Sequence, residues 1–158
     1  MSSTAEGCFA LMTGHIELAT VELFGACGIP LRPAAPRTDR SAATSAPSVA
    51  AVVGYAGEQL RGSLLLLAAT STIEAWMRVM DEEGVGPREV LGEFSLELVG
   101  HLKTRLSNDG IALYLSTPTT AEGLALTFDA PSDPATWLAF EGPGATRLEI
   151  RIACADGR

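Results

Sequence analysis

The sequence predicts an α+β fold: an antiparallel sheet, built from a hairpin and a meander, with three helices packed mainly on one face. Three observations carry this expectation. Apolar residues recur at helical spacing in three stretches, about residues 6–27, 71–84 and 86–110. Two β-like runs, Val49 to Tyr55 and Leu60 to Ala68, flank the short turn Gly57-Glu58-Gln59. Four further short runs of β character follow the last helical stretch, so strands and helices fall in separate blocks rather than alternating.

The first helix is expected from about Glu6 to Cys27, with Phe9, Met12, Ile16, Leu23 and Cys27 along one side and Gly28 and Pro30 closing it. The stretch 33–48, rich in Ala, Pro, Ser and Thr, has nothing that could pack a core and reads as a flexible loop. The hairpin comes next. Ser71-Thr72-Ile73-Glu74 carries a capping-box pattern and opens a second helix through Trp76, Met77 and Met80 that stops at Gly84.

The third helix is the most regular element. Gly86 and Pro87 start it, with proline in the first turn where its missing N–H is harmless, and Ser107 to Gly110 stop it. Val90, Leu91, Phe94, Leu98, Leu102 and Leu106 form one apolar stripe. The opposite face carries Glu89, Glu93, Leu96, Gly100, Lys103 and Ser107, so an aliphatic side chain and a bare backbone position sit among polar groups. The closing strands are expected at Ile111 to Ser116, Gly123 to Phe128, Thr136 to Phe140 and Arg147 to Ala153. In the last, Leu148, Ile150, Ile152 and Cys154 share a face, with Arg147, Glu149 and Arg151 toward water.

A chain of 158 residues, 47% hydrophobic and 19% charged, is one ordinary domain, 1–158, with enough apolar mass for a core. The formal charge of −8, without a Lys/Arg cluster, argues against nucleic acid and against anionic membrane surfaces as partners. The N-terminal stretch lacks a basic lead-in and is broken by Glu6, His15, Glu17 and Glu22. The oiliest run, Leu64 to Ala69, is too short to span a bilayer, so a cytoplasmic location is expected. Cys8, Cys27 and Cys154 are odd in number and widely spaced. They read as small buried hydrophobes in a reducing compartment, not as a disulfide or metal framework.

Signatures of hydrolases, P-loops, dinucleotide folds and zincins are missing. His101 has no cysteine or serine on its helix face and reads as a half-buried histidine donating to a backbone carbonyl. Glu93 and Glu97, within about 40° of each other on the helix, read as a solvated carboxylate face unless a partner meets them.

The segments GYAGEQLRGSLLLL, STIEAWMRVMDEE and VLGEFSLELVGHLKTRLSNDGIALYLSTPT, with ELFGACGIPLRP closing the first helix, resemble the CheX family of chemotaxis phosphatases, relatives of CheC. The resemblance runs from about Glu6 to Phe128 and is clearest from Val49 to Thr119. It implies a CheX-like domain whose partner is a CheY-like receiver. The family removes the receiver's aspartyl phosphate, using a glutamate on the long helix for docking and an asparagine three positions later to orient a water. The resemblance implies no cofactor of the chain's own, because the Mg²⁺ belongs to the receiver. Glu93 matches the glutamate, and Leu96 stands at the asparagine position. Leucine has neither donor nor acceptor for a water. The expectation is therefore a signalling domain that binds a receiver, or serves as a dimeric scaffold, with catalysis lost. Its partner surface is expected at Glu89, Glu93, Leu96, Glu97 and Gly100. The alternative is an active aspartyl-phosphate phosphatase with Glu93 as its docking residue and another group positioning water. A homodimer is expected as well, since family members often pair and an exposed edge strand invites sheet pairing.

Overall fold

The computed structural model describes residues 3–37, 46–124, 126, 128 and 134–157. In chain order the elements are α1 (Ser3–Ala26), β1 (Arg32–Ala34), β2 (Ser48–Ala56), β3 (Leu60–Ala69), α2 (Thr70–Met80), α3 (Pro87–Asn108), β4 (Tyr114–Leu115), β5 (Thr119–Gly123), β6 (Ala135–Glu141) and β7 (Arg147–Asp156). The strands form one seven-stranded sheet in the order β1-β6-β7-β3-β2-β4, with β5 also paired to β2. Every pairing is antiparallel. The α+β architecture with three helices is thus as the sequence predicts.

The hairpin β2–β3 is the centre of the molecule. Gly57 closes its turn by donating to the Leu60 carbonyl at 2.9 Å, and Ser48 to Ala56 pair residue for residue with Ala69 to Arg61. The strands that follow α3 divide between the two sides of this hairpin: β4 and β5 run along the free side of β2, and the β6–β7 hairpin places β7 against β3. β3 therefore lies inside the sheet and is buried on both faces, which is why Leu64 to Leu67 read as a continuous apolar run. Gly62 is needed where β3 meets β7, because a Cβ there would collide with the Ala153 carbonyl. That same carbonyl accepts a bond from the Tyr55 hydroxyl at 2.7 Å.

The main core lies between the helices and one sheet face, formed by Val49, Ala51 and Val53 of β2, Leu64 and Leu66 of β3, and Leu148, Ile150, Ile152 and Cys154 of β7. Phe24 of α1, Trp76 of α2 and Phe94 of α3 meet in an aromatic cluster. The Phe24 and Phe94 rings stack at 4.2 Å, and Phe24 meets Trp76 edge-on at 5.0 Å. A smaller cluster covers part of the other face, where Ala50, Leu65 and Leu67 pack with Val52, Leu126, Phe128 and Trp137.

Several details differ from the expectation. The second helix starts at Thr70 rather than at a Ser71 capping box: Ala69 precedes it without a side-chain cap, and the Thr70 N–H donates to the Pro47 carbonyl at 2.9 Å. It stops at Asp81, which takes up a left-handed conformation, before Gly84. Part of the 33–48 stretch is ordered into the sheet, since Pro33 and Ala34 belong to β1 and Ser48 to β2; residues 38–45 lie outside the described residues. The strand expected at 111–116 is only Tyr114–Leu115. The one expected at 123–128 lies earlier, at Thr119–Gly123, because the free edge of β2 pairs there; residues 125 and 127 are not among those described. Leu126 and Phe128 are apolar because they cover the second sheet face. Glu149 is buried rather than turned to water, with Arg37 and Arg147 within ion-pair distance at 3.8 and 3.7 Å. Arg147 is half-buried. So is Arg151, which lies over the Phe128 ring. Cys8 and Cys154 are buried as expected, whereas Cys27 is half-exposed; all three are free thiols. No helix among the described residues is long and apolar enough to cross a membrane.

Candidate functional site

The orientation of α3 follows from its apolar stripe. Val90, Leu91, Phe94, Leu98, Leu102 and Leu106 are all buried against the sheet and the other helices. Burying six such side chains fixes the rotation of the helix about its axis, and with it the direction of the opposite face. Gly86 precedes the helix and its N–H donates to the Glu89 carboxylate at 3.3 Å, so Glu89 caps the helix it belongs to. At the other end Gly110 adopts a positive φ of 79°, letting the Ile111 N–H turn back to the Leu106 carbonyl at 2.8 Å.

The outward face of the first half of α3 borders an open groove of about 550 Å³. One wall is helix, contributing Arg88, Glu89, Gly92, Glu93 and Leu96; the other contains Pro118 and Thr120, and Val85 sits at the start of the helix. The two walls are tied together. Arg88 donates to the Thr120 hydroxyl and carbonyl at 3.4 and 3.3 Å. Gly92 allows the close approach, since a Cβ there would stand 3.3 Å from the Thr120 methyl. Glu93 is exposed one turn before Leu96, and Leu96 is 52% exposed. The groove is thus an acidic, partly apolar trough with a leucine standing free at its rim. Among the described residues of the 33–48 stretch, none lines it.

Of the five residues expected at a partner surface, Glu89, Glu93 and Leu96 come together here. Glu97 does not line the groove. It lies about 100° around the helix from Leu96, close enough to Cys27 for its charge to act on that thiol. Gly100 lies beyond the groove, exposed, with open space where a Cβ would be. Pro118 and Thr120, which complete the groove, are not visible as site residues in the helix pattern. They come from the strand end that follows α3 by ten to twelve residues, and only the pairing of β5 with β2 brings them alongside α3. His101 is exposed rather than half-buried. Among the described residues, no three His, Cys, Asp or Glu side chains cluster as a metal site would require.

Burial, and after it the Glu97 carboxylate, holds the Cys27 thiol above its usual range. Removing that carboxylate lowers the thiol's pKa and enlarges the thiolate fraction at a given pH. Glu97→Gln is therefore expected to alkylate at Cys27 roughly twice as fast at pH 8 as the parent chain, with Glu93→Gln unchanged. An equal rate in Glu97→Gln, followed by iodoacetamide labelling and mass spectrometry, would place Glu97 elsewhere.

No family model matches the chain, and no curated protein is similar to it in sequence. Solved structures are similar in fold. A chemotaxis protein CheX from Vibrio vulnificus superposes with a TM-score of 0.78 at 18% identity, covering 91% of this chain and 99% of that one. A CheC-like superfamily protein from Shewanella sp. PV-4 gives 0.75 at 19% identity, over 98% and 99% of the two chains. The CheX of Borrelia burgdorferi, solved as a CheX–CheY–BeF3–Mg²⁺ complex, gives 0.68 at 17% identity, over 91% and 97%. The chain therefore has the fold of the CheX and CheC-like chemotaxis proteins.

Proposed function

We propose that this CheX-like chain binds a CheY-like receiver domain through the α3 groove and does not dephosphorylate it. Glu93 is the docking carboxylate, and Leu96 enters the receiver's phosphorylation pocket where a water-orienting amide would otherwise stand. The observation that carries this reading is that Glu93 and Leu96, one turn apart, are exposed side by side on one open groove. The fold it shares with a CheX solved together with CheY supports the class of partner. Phosphoryl transfer from a receiver asks little of a phosphatase beyond placing a nucleophile in line. A side chain that neither donates nor accepts cannot place one, and an aliphatic group in that position excludes water. Mg²⁺ is the receiver's contribution. Self-association of the chain, in the cytoplasm, is the second half of the proposal.

The test is a calorimetric titration with a CheY-like receiver loaded with BeF3⁻ and Mg²⁺, beside a phosphate-release assay on the phosphorylated receiver. Saturable binding is expected, weakened at least tenfold, about 1.4 kcal/mol, by either Glu93→Ala or Leu96→Asp. No faster loss of phosphate than from the receiver alone is expected. Binding indifferent to both substitutions would remove the groove from the interface. Accelerated release that Glu93→Ala abolishes would establish an active phosphatase instead.

A further inference from the structure

Four polar side chains line the groove on α3: Arg88, Glu89, Glu93 and Thr120. Three are engaged within the chain. Arg88 donates to the Thr120 hydroxyl and carbonyl, and the Glu89 carboxylate accepts the Gly86 N–H. Glu93 is exposed, one turn before Leu96. Val85, Leu96 and Pro118 make the rest of the lining apolar, and Gly92 leaves it bare. Around Leu96 itself the polar groups are distant or turned away. Thr120 sits against Gly92, a turn back along α3, with its hydroxyl accepting from Arg88. Glu97 and His101 lie about 100° and 140° around the helix from Leu96, and Lys103, in the same direction as Leu96, is about 10 Å farther along the axis. With Glu93 taken up by a partner, the described residues of the groove offer no group to hold a water beside Leu96.

We infer that the chain shields a receiver's aspartyl phosphate: while bound, it slows hydrolysis below the receiver's own rate. The inference rests on the receiver-binding reading proposed above and adds an activity to it. Hydrolysis needs one water in line with the bond to be broken. The water oxygen forms a bond to phosphorus, and the acyl-phosphate P–O bond breaks with its electron pair returning to the aspartate carboxylate. The water's proton leaves with the phosphate or to solvent. A free receiver admits that water from bulk. In the complex a branched side chain of four carbons stands on the water's approach, a space that one water fills with only about 30 Å³. Leu96 is 52% exposed, so the chain presents it without rearrangement. Leucine neither donates nor accepts, so it cannot hold a displaced water close to phosphorus. Val85 and Pro118 of the same groove extend the apolar rim. A domain of this kind lengthens the phosphorylated lifetime of its partner, where an amide at the same point of the helix would shorten it.

The test charges a CheY-like receiver with acetyl phosphate and Mg²⁺, removes the donor, and follows loss of the phosphoryl group with and without the chain. The chain is added at about ten times the Kd found by calorimetry, where roughly one receiver in eleven is free. Complete shielding in the complex would then slow the observed decay about elevenfold, and at least fivefold is expected. Leu96→Ala, used at about ten times its own Kd, opens room for a water and should return the decay to the receiver's own rate. Leu96→Met keeps the apolar bulk and should keep the protection. Position 96 is exposed, and circular dichroism checks that each variant folds. Binding with an unchanged decay would overturn the shielding and leave receiver binding standing. Slowing that Leu96→Ala retains would overturn the role given to Leu96. A chain that does not bind the receiver would overturn the shielding together with the reading it rests on, and so would a faster decay that Glu93→Ala abolishes.

Discussion

Under the proposed function, Leu96→Asn is expected to give the chain measurable phosphatase activity on a receiver. The parent chain should not speed the decay of a phosphorylated receiver, and the variant should accelerate it at least tenfold. Tenfold corresponds to about 1.4 kcal/mol of barrier, a small demand on a group that places a nucleophile, since one well-aimed donor is worth about 2.7–4 kcal/mol in other sites. The structure favours the experiment because Leu96 is half-exposed at the rim of the groove, so an amide can replace it without opening a cavity or stranding a polar group. Two controls separate chemistry from docking. Leu96→Ala removes the leucine without supplying an amide and should stay inactive. Glu93→Ala in the Leu96→Asn background should erase the gain by removing the docking carboxylate. A variant that binds the loaded receiver as tightly as the parent, yet shows no gain, would mean that the leucine is not at the water-positioning point.

Phe24→Ala is expected to be the most damaging single substitution in the scaffold behind the groove, costing about 3–5 kcal/mol. Phe24 is fully buried, and it is the ring shared by the two closest aromatic contacts, linking α1 to α2 and to α3. Its loss leaves a cavity at the junction of all three helices and forfeits the stacking with Phe94. Against a usual total of about 5–15 kcal/mol, the variant would approach the limit of folding. Leu96→Ala, on the exposed face of α3, should change stability by less than about 0.5 kcal/mol. Urea denaturation followed by tryptophan fluorescence checks both values, with Trp76 reporting directly on the cluster. A loss below about 1 kcal/mol for Phe24→Ala would show that the three helices are not held by these rings. Because Phe94 sits on α3 itself, the same cluster sets the pose of Glu93 and Leu96, and a destabilised variant should also lose receiver binding.

Elements whose signals are local were legible in the residues themselves. The stripe from Val90 to Leu106 states both the helix and its rotation, and Gly86, Pro87 and Gly110 mark its ends nearly to the residue. Leu148, Ile150, Ile152 and Cys154 alternate onto the core face as expected. What could not be read depends on partners distant in sequence. Thr70 begins α2 because Pro47 offers it a carbonyl, a contact that outweighs the Ser71 capping pattern. Alternation in β7 says that one face is buried but not what covers the other, so Arg147, Glu149 and Arg151 read as facing water. For the candidate site, the helical wall with Glu89, Glu93 and Leu96 follows from periodicity. Pro118 and Thr120 do not, because only strand pairing brings them within reach of Arg88. Arg32–Ala34 is too short and too rich in proline to announce itself as a strand, and it is one only because β6 supplies its hydrogen bonds.

The position of β7 has a consequence for how the molecule comes together. It is the last strand in the described chain, yet it lies in the interior of the sheet, with Leu60 opposite Asp156 and Ala68 opposite Leu148. β2 and β3 can zip locally across their turn, and the helices can form early, but β3 keeps an open hydrogen-bonding edge until a segment about eighty residues downstream arrives. Closing so long a loop is slow relative to local contacts. During that interval the four leucines from Leu64 to Leu67 are the surface most able to pair with a neighbouring chain. The delay before β7 docks on β3 is therefore the interval in which this chain is most exposed to pairing with a neighbour.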